Sequence, residues 1–156
     1  MKIQGKKVEG VNVITMVFPR QDGLVVVLKA AGIQSYEEFD KMCPMPEPTE
    51  KIFPNGSRVK NTKDPKFQEA VDIWAKRKVA WMIIKSLEVT EGLEWETVDM
   101  LDPETWENYL SELTSCGFTE AEMARIVGGV TSANGINQQA IDEAEKHFLA
   151  DQGQVQ

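Results

Sequence analysis

Apolar residues early in the chain fall in short runs, and those later in the chain recur at helical spacing. Val11, Val13, Thr15 and Val17 alternate with Asn12, Ile14, Met16 and Phe18, so a strand here has two substantially apolar faces. Leu24 to Leu28 is a second run of strand length. Pro19-Arg20-Gln21-Asp22-Gly23 lies between them and predicts a turn, with Gly23 free to take a positive φ. Pro54-Asn55-Gly56 predicts another hairpin, a type I′ turn joining Lys51–Phe53 to Ser57–Lys60. Between the hairpins, Tyr36 to Met42 reads as a short helix with Ser35 as N-cap and Phe39 on its buried side. Pro44, Pro46 and Pro48 then block both helix and central strand, which predicts an extended connector.

From Asp64 the punctuation becomes helical. Asp64-Pro65 is an N-cap with proline in the first turn, and the helix it opens runs to about Leu87. Phe67, Ala70, Val71, Trp74, Trp81 and Ile84 share a face that Val79, Ile83 and Leu87 broaden. Lys78 lies one turn after Trp74, within reach of the indole. Asp102-Pro103 repeats the start signal, with Trp106, Tyr109, Leu110 and Leu113 as the buried stripe and Cys116-Gly117 as the stop. Thr119 and Glu122 predict a capping box, with Phe118 stapled to Met123. The helix that follows carries Ile126, Val127 and Val130. Its Gly128-Gly129 pair suits close packing or a bend. Asn134-Gly135 ends it, and Asn137 caps a last helix with Ile136 stapled to Ile141 and a stripe of Ala144, Phe148 and Leu149. The expected fold is α+β: a small antiparallel N-terminal β-sheet, then a C-terminal bundle of about four helices. The division expected is a β-rich region with its proline connector over 1–63 and an acidic helical region over 64–156.

Charge sharpens that division. Of the 156 residues, 17 are Lys or Arg and 25 are Asp or Glu, for a net charge of −8. Residues 1–66 carry 11 basic and 8 acidic side chains, and residues 67–156 carry 6 and 17. Between Ser86 and Ala124 there are eleven carboxylates and no Lys or Arg, so part of that stretch is expected to present a negative face. The surface is either a solvated one or a docking site for a basic partner. The acidity argues against nucleic acid and anionic membranes as partners. No run approaches the roughly 18 apolar residues of a membrane span, and the reading is of a cytoplasmic protein.

Candidate chemistry is sparse. His147 is the only imidazole and sits near the end of the last helix, where its interaction with the helix dipole accounts for it. Cys43 and Cys116 lack CxxC spacing and read as reduced thiols. Glu94, Glu96 and Asp99 do not match an EF-hand loop, and Val127-Gly128-Gly129-Val130 lacks the lysine of a phosphate loop. No catalytic residue, metal ligand or cofactor is expected. Trp74, Trp81, Trp95 and Trp106 are the candidate partner-binding residues, because indoles give adaptable contact area. The alternative for them is the core.

Several segments resemble one family in pattern and order. They are Phe39 with Cys43-Pro44 and the alternating prolines, Asp64-Pro65, Lys85-Ser86-Leu87 and Leu93-Glu94-Trp95-Glu96. They continue with Asp102-Pro103-Glu104-Thr105-Trp106, Gly117-Phe118-Thr119, Ala133-Asn134-Gly135 and Phe148-Leu149. Spanning most of residues 36–149, they resemble the tail assembly chaperones of tailed bacteriophages. The resemblance implies a non-catalytic protein of the infected bacterial cytoplasm. It would hold the long tape-measure protein soluble and help tail-tube subunits polymerise around it. Some such proteins are followed by a frameshifted extension. A structural virion subunit, at the head–tail joint or as decoration, is the alternative, followed by a phage inhibitor of a host protein.

Overall fold

The computed structural model describes residues 1–136 and 138–153. In chain order the elements are β1 (Lys2–Ile3), β2 (Lys6–Lys7), β3 (Val13–Pro19), β4 (Val25–Ala31), α1 (Glu37–Met42), β5 (Glu50–Ile52) and β6 (Arg58–Lys60). The helices α2 (Pro65–Leu87), α3 (Tyr109–Ser115), α4 (Glu120–Ala133) and α5 (Gln138–Gly153) follow. The fold is α+β. Its strands form three separate two-stranded antiparallel hairpins instead of one sheet, and α4 packs on the largest hairpin, not within a helical bundle.

Two compact units emerge, and neither follows the change from strand to helix near residue 64. The first comprises Met1–Gln34, Ile83–Glu94 and the described residues of Leu113–Gln156. The second comprises Ser35–Met82 and Trp95–Glu112. The units are set by packing, whereas the sequence signal at 64 is a change of local conformation.

In the first unit the β3–β4 hairpin has an unbroken register from Val13 opposite Ala31 to Pro19 opposite Val25. The turn uses a positive φ at both Asp22 (58°) and Gly23 (72°). Period-two alternation turns Met16, Phe18, Leu28 and Ala30 inward, where they are buried against Ile126, Val130 and Ala133 of α4. Ile83, Ile84 and Leu87, in the last turns of α2, are also fully buried. Val79, Leu110 and Val127, expected on buried stripes, are instead 49%, 47% and 39% exposed. Each lies at the margin of its helix's apolar arc, beyond the reach of the packed neighbour.

The Gly128-Gly129 pair divides cleanly. A Cβ on Gly129 would stand 2.4 Å from Met16 Sδ, so glycine lets α4 approach β3 closely. A Cβ on Gly128 would meet nothing within 4 Å. Gly128→Ala is therefore expected to raise stability by about 1 kcal/mol through helix propensity. Gly129→Val is expected to lower it by roughly 1–3 kcal/mol through overpacking. Urea midpoints of the two variants check both signs, and equal shifts would disprove the close approach.

The caps of α2, α3 and α4 behave as the sequence predicts, whereas the N-cap of α1 is Tyr36 and not Ser35. Thr119 and Glu122 form the full capping box on α4. Asp64 Oδ1 accepts the Lys66 N–H at 3.1 Å. Gly117 (φ 86°) follows α3, with Phe118 N–H donating to Leu113 O. Phe118 turns toward Phe18, their rings edge to face at 5.2 Å.

Two local expectations are corrected. In the β5–β6 hairpin the positive φ is at Gly56 (80°) and not at Asn55, and Gly56 N–H donates to Phe53 O. Pro54 favours the ordinary φ at the second turn position, so Asn-Gly is shifted one place along, and a type I turn with a glycine bulge results. The start at Asp102 opens a 3-10 helix over Pro103–Asn108 before α3 begins. Here the Thr105 hydroxyl bonds the Asp99 N–H and the Asp102 carbonyl, competing with α-helical pairing.

The last helix departs most. Ile136 and Ile141 are 60% and 36% exposed, and Phe148 and Leu149 are 61% and 65% exposed, so its apolar stripe is not buried. The Asn137 cap and the Ala144 side chain lie outside what the structure describes.

Candidate partner interface

The second unit gathers its aromatics around Phe39. Ser35 Oγ accepts the Glu37 N–H at the start of α1, and this short helix carries the Phe39 ring into the interior. The ring centroid lies 6.0 Å from Trp74, 5.7 Å from Trp81 and 5.9 Å from Trp106. Such tilted pairs each add about 0.5–1.5 kcal/mol beyond the area they bury. Tyr36 stands 5.5 Å from Trp81. Lys78 Nζ lies 4.9 Å from the Trp74 ring and 5.3 Å from the Tyr36 ring, as its one-turn spacing from Trp74 predicts.

This arrangement sorts the four tryptophans. Trp81 and Trp106 are completely buried and have no surface to offer a partner. For these two the core alternative holds, because both rings close on Phe39. Trp106 Nε1 donates to Asp99 O at 3.1 Å, whereas Trp81 Nε1 is buried with no acceptor. Trp74 and Trp95 remain partly exposed. Trp74 Nε1 donates to Cys43 O at 3.0 Å, which pins the indole beside the proline connector.

A groove of about 310 Å³ runs there, lined by Met42, Pro44, Pro46, Ile73, Trp74 and Arg77 among others. The connector is extended, without helix or strand from Pro44 to Thr49, so its prolines form a fixed wall opposite α2. Ile73 at the lip is 44% exposed. A second groove of about 370 Å³ lies between α2 and the start of α3, with Val79, Tyr109, Leu110 and Glu107 in its walls. The sequence missed both grooves. Their walls are brought together by tertiary packing, and only the proline run signalled one of them.

The acidic stretch is partly engaged in holding the fold. Glu112 accepts the Glu96 N–H at 2.6 Å and both the N–H and the hydroxyl of Thr97. Desolvation pushes its carboxyl up, but these bonds together outweigh it and leave the group below the ordinary range. Asp99 and Asp102 accept the Leu101 and Glu104 N–H groups. Cations from the distant hairpin also reach the stretch. Arg20 makes a two-pronged pair with Glu122 at 2.8 and 3.4 Å, and Lys29 pairs with Glu91 at 3.3 Å. Glu94, Glu96, Glu104, Glu107 and Glu120 are exposed.

The hydrogen bond from Arg20, then that from the Thr119 N–H, holds the Glu122 carboxyl below its ordinary 4.5. A lowered folded-state pKa means the unfolded chain binds more protons below pH 4.5. The stability Glu122 contributes is therefore complete above that pH and is lost as pH falls through the lowered folded value. Glu122→Gln is expected to lower the urea midpoint at neutral pH and to flatten its acid limb. A parallel acid limb would disprove the assignment.

Both thiols are free, Cys43 buried and Cys116 exposed. Among the described residues no helix is long and apolar enough to cross a membrane, and no three His, Cys, Asp or Glu side chains are placed to hold a metal. Set against protein-family models, curated proteins and solved structures, the chain matches none of them.

Proposed function

We propose that the protein is a non-catalytic morphogenesis factor of a tailed bacteriophage, a tail assembly chaperone. It would bind the tape-measure protein in the host cytoplasm and aid tail-tube assembly. The observation that carries this reading is the groove beside Trp74, where a rigid proline wall faces exposed Ile73 across an apolar floor. Such a groove suits the apolar stripe of an amphipathic helix, which aggregates when left bare. The engagement of Glu112, Glu122 and buried Cys43 in the fold is in keeping with a protein that acts through surface instead of bond chemistry.

The direct test is co-expression with the tape-measure protein, scored by the client's soluble fraction. The wild type raises that fraction, and Ile73→Asp returns it to the level without chaperone while leaving the thermal midpoint unchanged. No rise with the wild type would end the proposal. Mass spectrometry of purified particles separates the structural-subunit alternative, since a chaperone leaves before maturation and a stoichiometric band would remain for a subunit. Capture of a host protein in place of tail components would favour the inhibitor.

A further inference from the structure

The β3–β4 hairpin is apolar on both faces and covered on one. Its inner face meets α4. Its outer face presents Val13, Val17, Val25 and Val27, which are 44%, 42%, 55% and 41% exposed, with Leu24 at the turn 68% exposed. Thr15 lies opposite Lys29 at the centre, and the Lys29 ammonium is drawn toward Glu91. A two-stranded ribbon is marginal in water unless its faces are packed. A strip of four β-branched side chains is an unusual surface to leave bare.

The same unit contains an apolar helix stripe that is also bare. Ile141, Phe148 and Leu149 fall within about 100° of arc on α5, and all three are exposed. The two surfaces match in length. Seven strand residues extend about 24 Å, and the sixteen residues of α5 extend about 24 Å as well. They also match in charge. The N-terminal arm, residues 1–12, carries Lys2, Lys6 and Lys7 against Glu9, for +2. Residues 138–153 carry Asp142, Glu143, Glu145 and Asp151 against Lys146, for −3.

The helix cannot reach the valine face of its own chain. The end of α4 is fixed at the open end of the hairpin, on the inner side. Asn12 Nδ2 donates to Ser132 O, and the Ile33 N–H donates to Asn134 Oδ1. The chain leaving α4 is then tied back to it, with the Asn134, Gly135 and Ile136 N–H groups donating to Val130, Ser132 and Thr131 carbonyls. One residue, 137, separates that cap from Gln138. Passing from one side of the sheet to the other requires about 20 Å, since each helix layer stands about 10 Å from the sheet. One residue spans about 3.5 Å, and even a fully released connector of four spans less than about 18 Å.

We infer that the occupant is a second copy of this chain: α5 of each copy lies on the valine face of the other, in a two-fold dimer. Reciprocal exchange buries about 1,000 Å² in total, the scale at which stable interfaces begin, whereas pairing the two valine faces directly buries about half of that. The acidic α5 and the basic N-terminal arm are opposite in charge, which favours the helix-on-face contact over helix-to-helix pairing of two acidic surfaces. The contact is isologous overall, so it closes at two copies.

The test uses the full chain and two variants at exposed positions, which leave the buried residues untouched. Sedimentation equilibrium of the wild type should give twice the 17.5 kDa chain mass. Phe148→Glu/Leu149→Glu removes the helix stripe, and Val27→Glu spoils the valine face. Each alone should raise the dimer dissociation constant about 100-fold or more. Mixing the two variants should give a heterodimer tighter than either variant's self-association and weaker than the wild-type dimer, because the intact helix of the Val27→Glu chain fits the intact face of the other while the second contact stays broken. Circular dichroism of each variant must match the wild type, and Met45→Glu, at a 63% exposed site elsewhere, should leave the dimer unchanged. A monomeric wild type would overturn the inference. So would a dimer indifferent to both variants, or a mixture that associates no more tightly than either variant alone, which is the outcome of helix–helix or face–face pairing.

Discussion

Phe39→Ala is expected to destabilise the protein by about 3–5 kcal/mol. The ring is completely buried and stands within 6.0 Å of three indoles, so its removal leaves a cavity lined by rigid side chains. Tryptophans have few rotamers with which to fill such a space. Moreover, α1 has only six residues and no independent stability, so its attachment depends on this side chain. The thermal midpoint should fall by about 10 °C. Met45→Ala, at a 63% exposed site on the neighbouring connector, should stay within about 0.5 kcal/mol of wild type. A loss below about 1 kcal/mol for Phe39→Ala would show that the cluster repacks without its centre.

Asn134→Ala should be nearly as damaging, at about 2–4 kcal/mol, through hydrogen bonding instead of volume. The Asn134 carboxamide accepts the Ile33 N–H at 2.8 Å and donates to Ser86 Oγ at 3.0 Å and Val130 O at 2.8 Å. It therefore links the hairpin, the last turn of α2 and α4 within one unit. Ser86 is 1% exposed, so truncation leaves its hydroxyl and a backbone N–H without their partner. Asn134→Asp retains the acceptor and loses both donors, and should fall between the two. Chemical denaturation of the three proteins orders them. Equal stability of Asn134→Ala and wild type would refute the bridging role.

The same residue marks the boundary of what the sequence could reveal. Asn134-Gly135 is legible as a helix stop, because that signal depends on adjacent residues. Two of the three partners of the Asn134 side chain lie 101 and 48 positions away and leave no local trace. Strands β3 to β6, the helix starts at Asp64 and Thr119, and Lys78 over Trp74 were legible for the converse reason, since each is set within about one turn of chain, whereas the short β1–β2 hairpin was not read. Periodicity also shows which residues are apolar without showing which neighbour covers them. That is why Val79, Leu110 and Val127 lie exposed, and why two of four candidate tryptophans are interior. Trp81 and Trp106 are 25 positions apart in sequence, and both close on Phe39 in the interior. The apolar outer face of the first hairpin was legible as pattern, but its exposure was not.

The unequal setting of the two thiols makes the protein its own reporter. Cys116 is exposed beside the glycine that ends α3, whereas Cys43 is 7% exposed and its carbonyl holds the Trp74 indole. A thiol-specific reagent should therefore modify one sulfur at once and the second only as the connector lifts from α2. The slow phase times that opening, and a dye attached at Cys116 leaves the groove wall chemically intact.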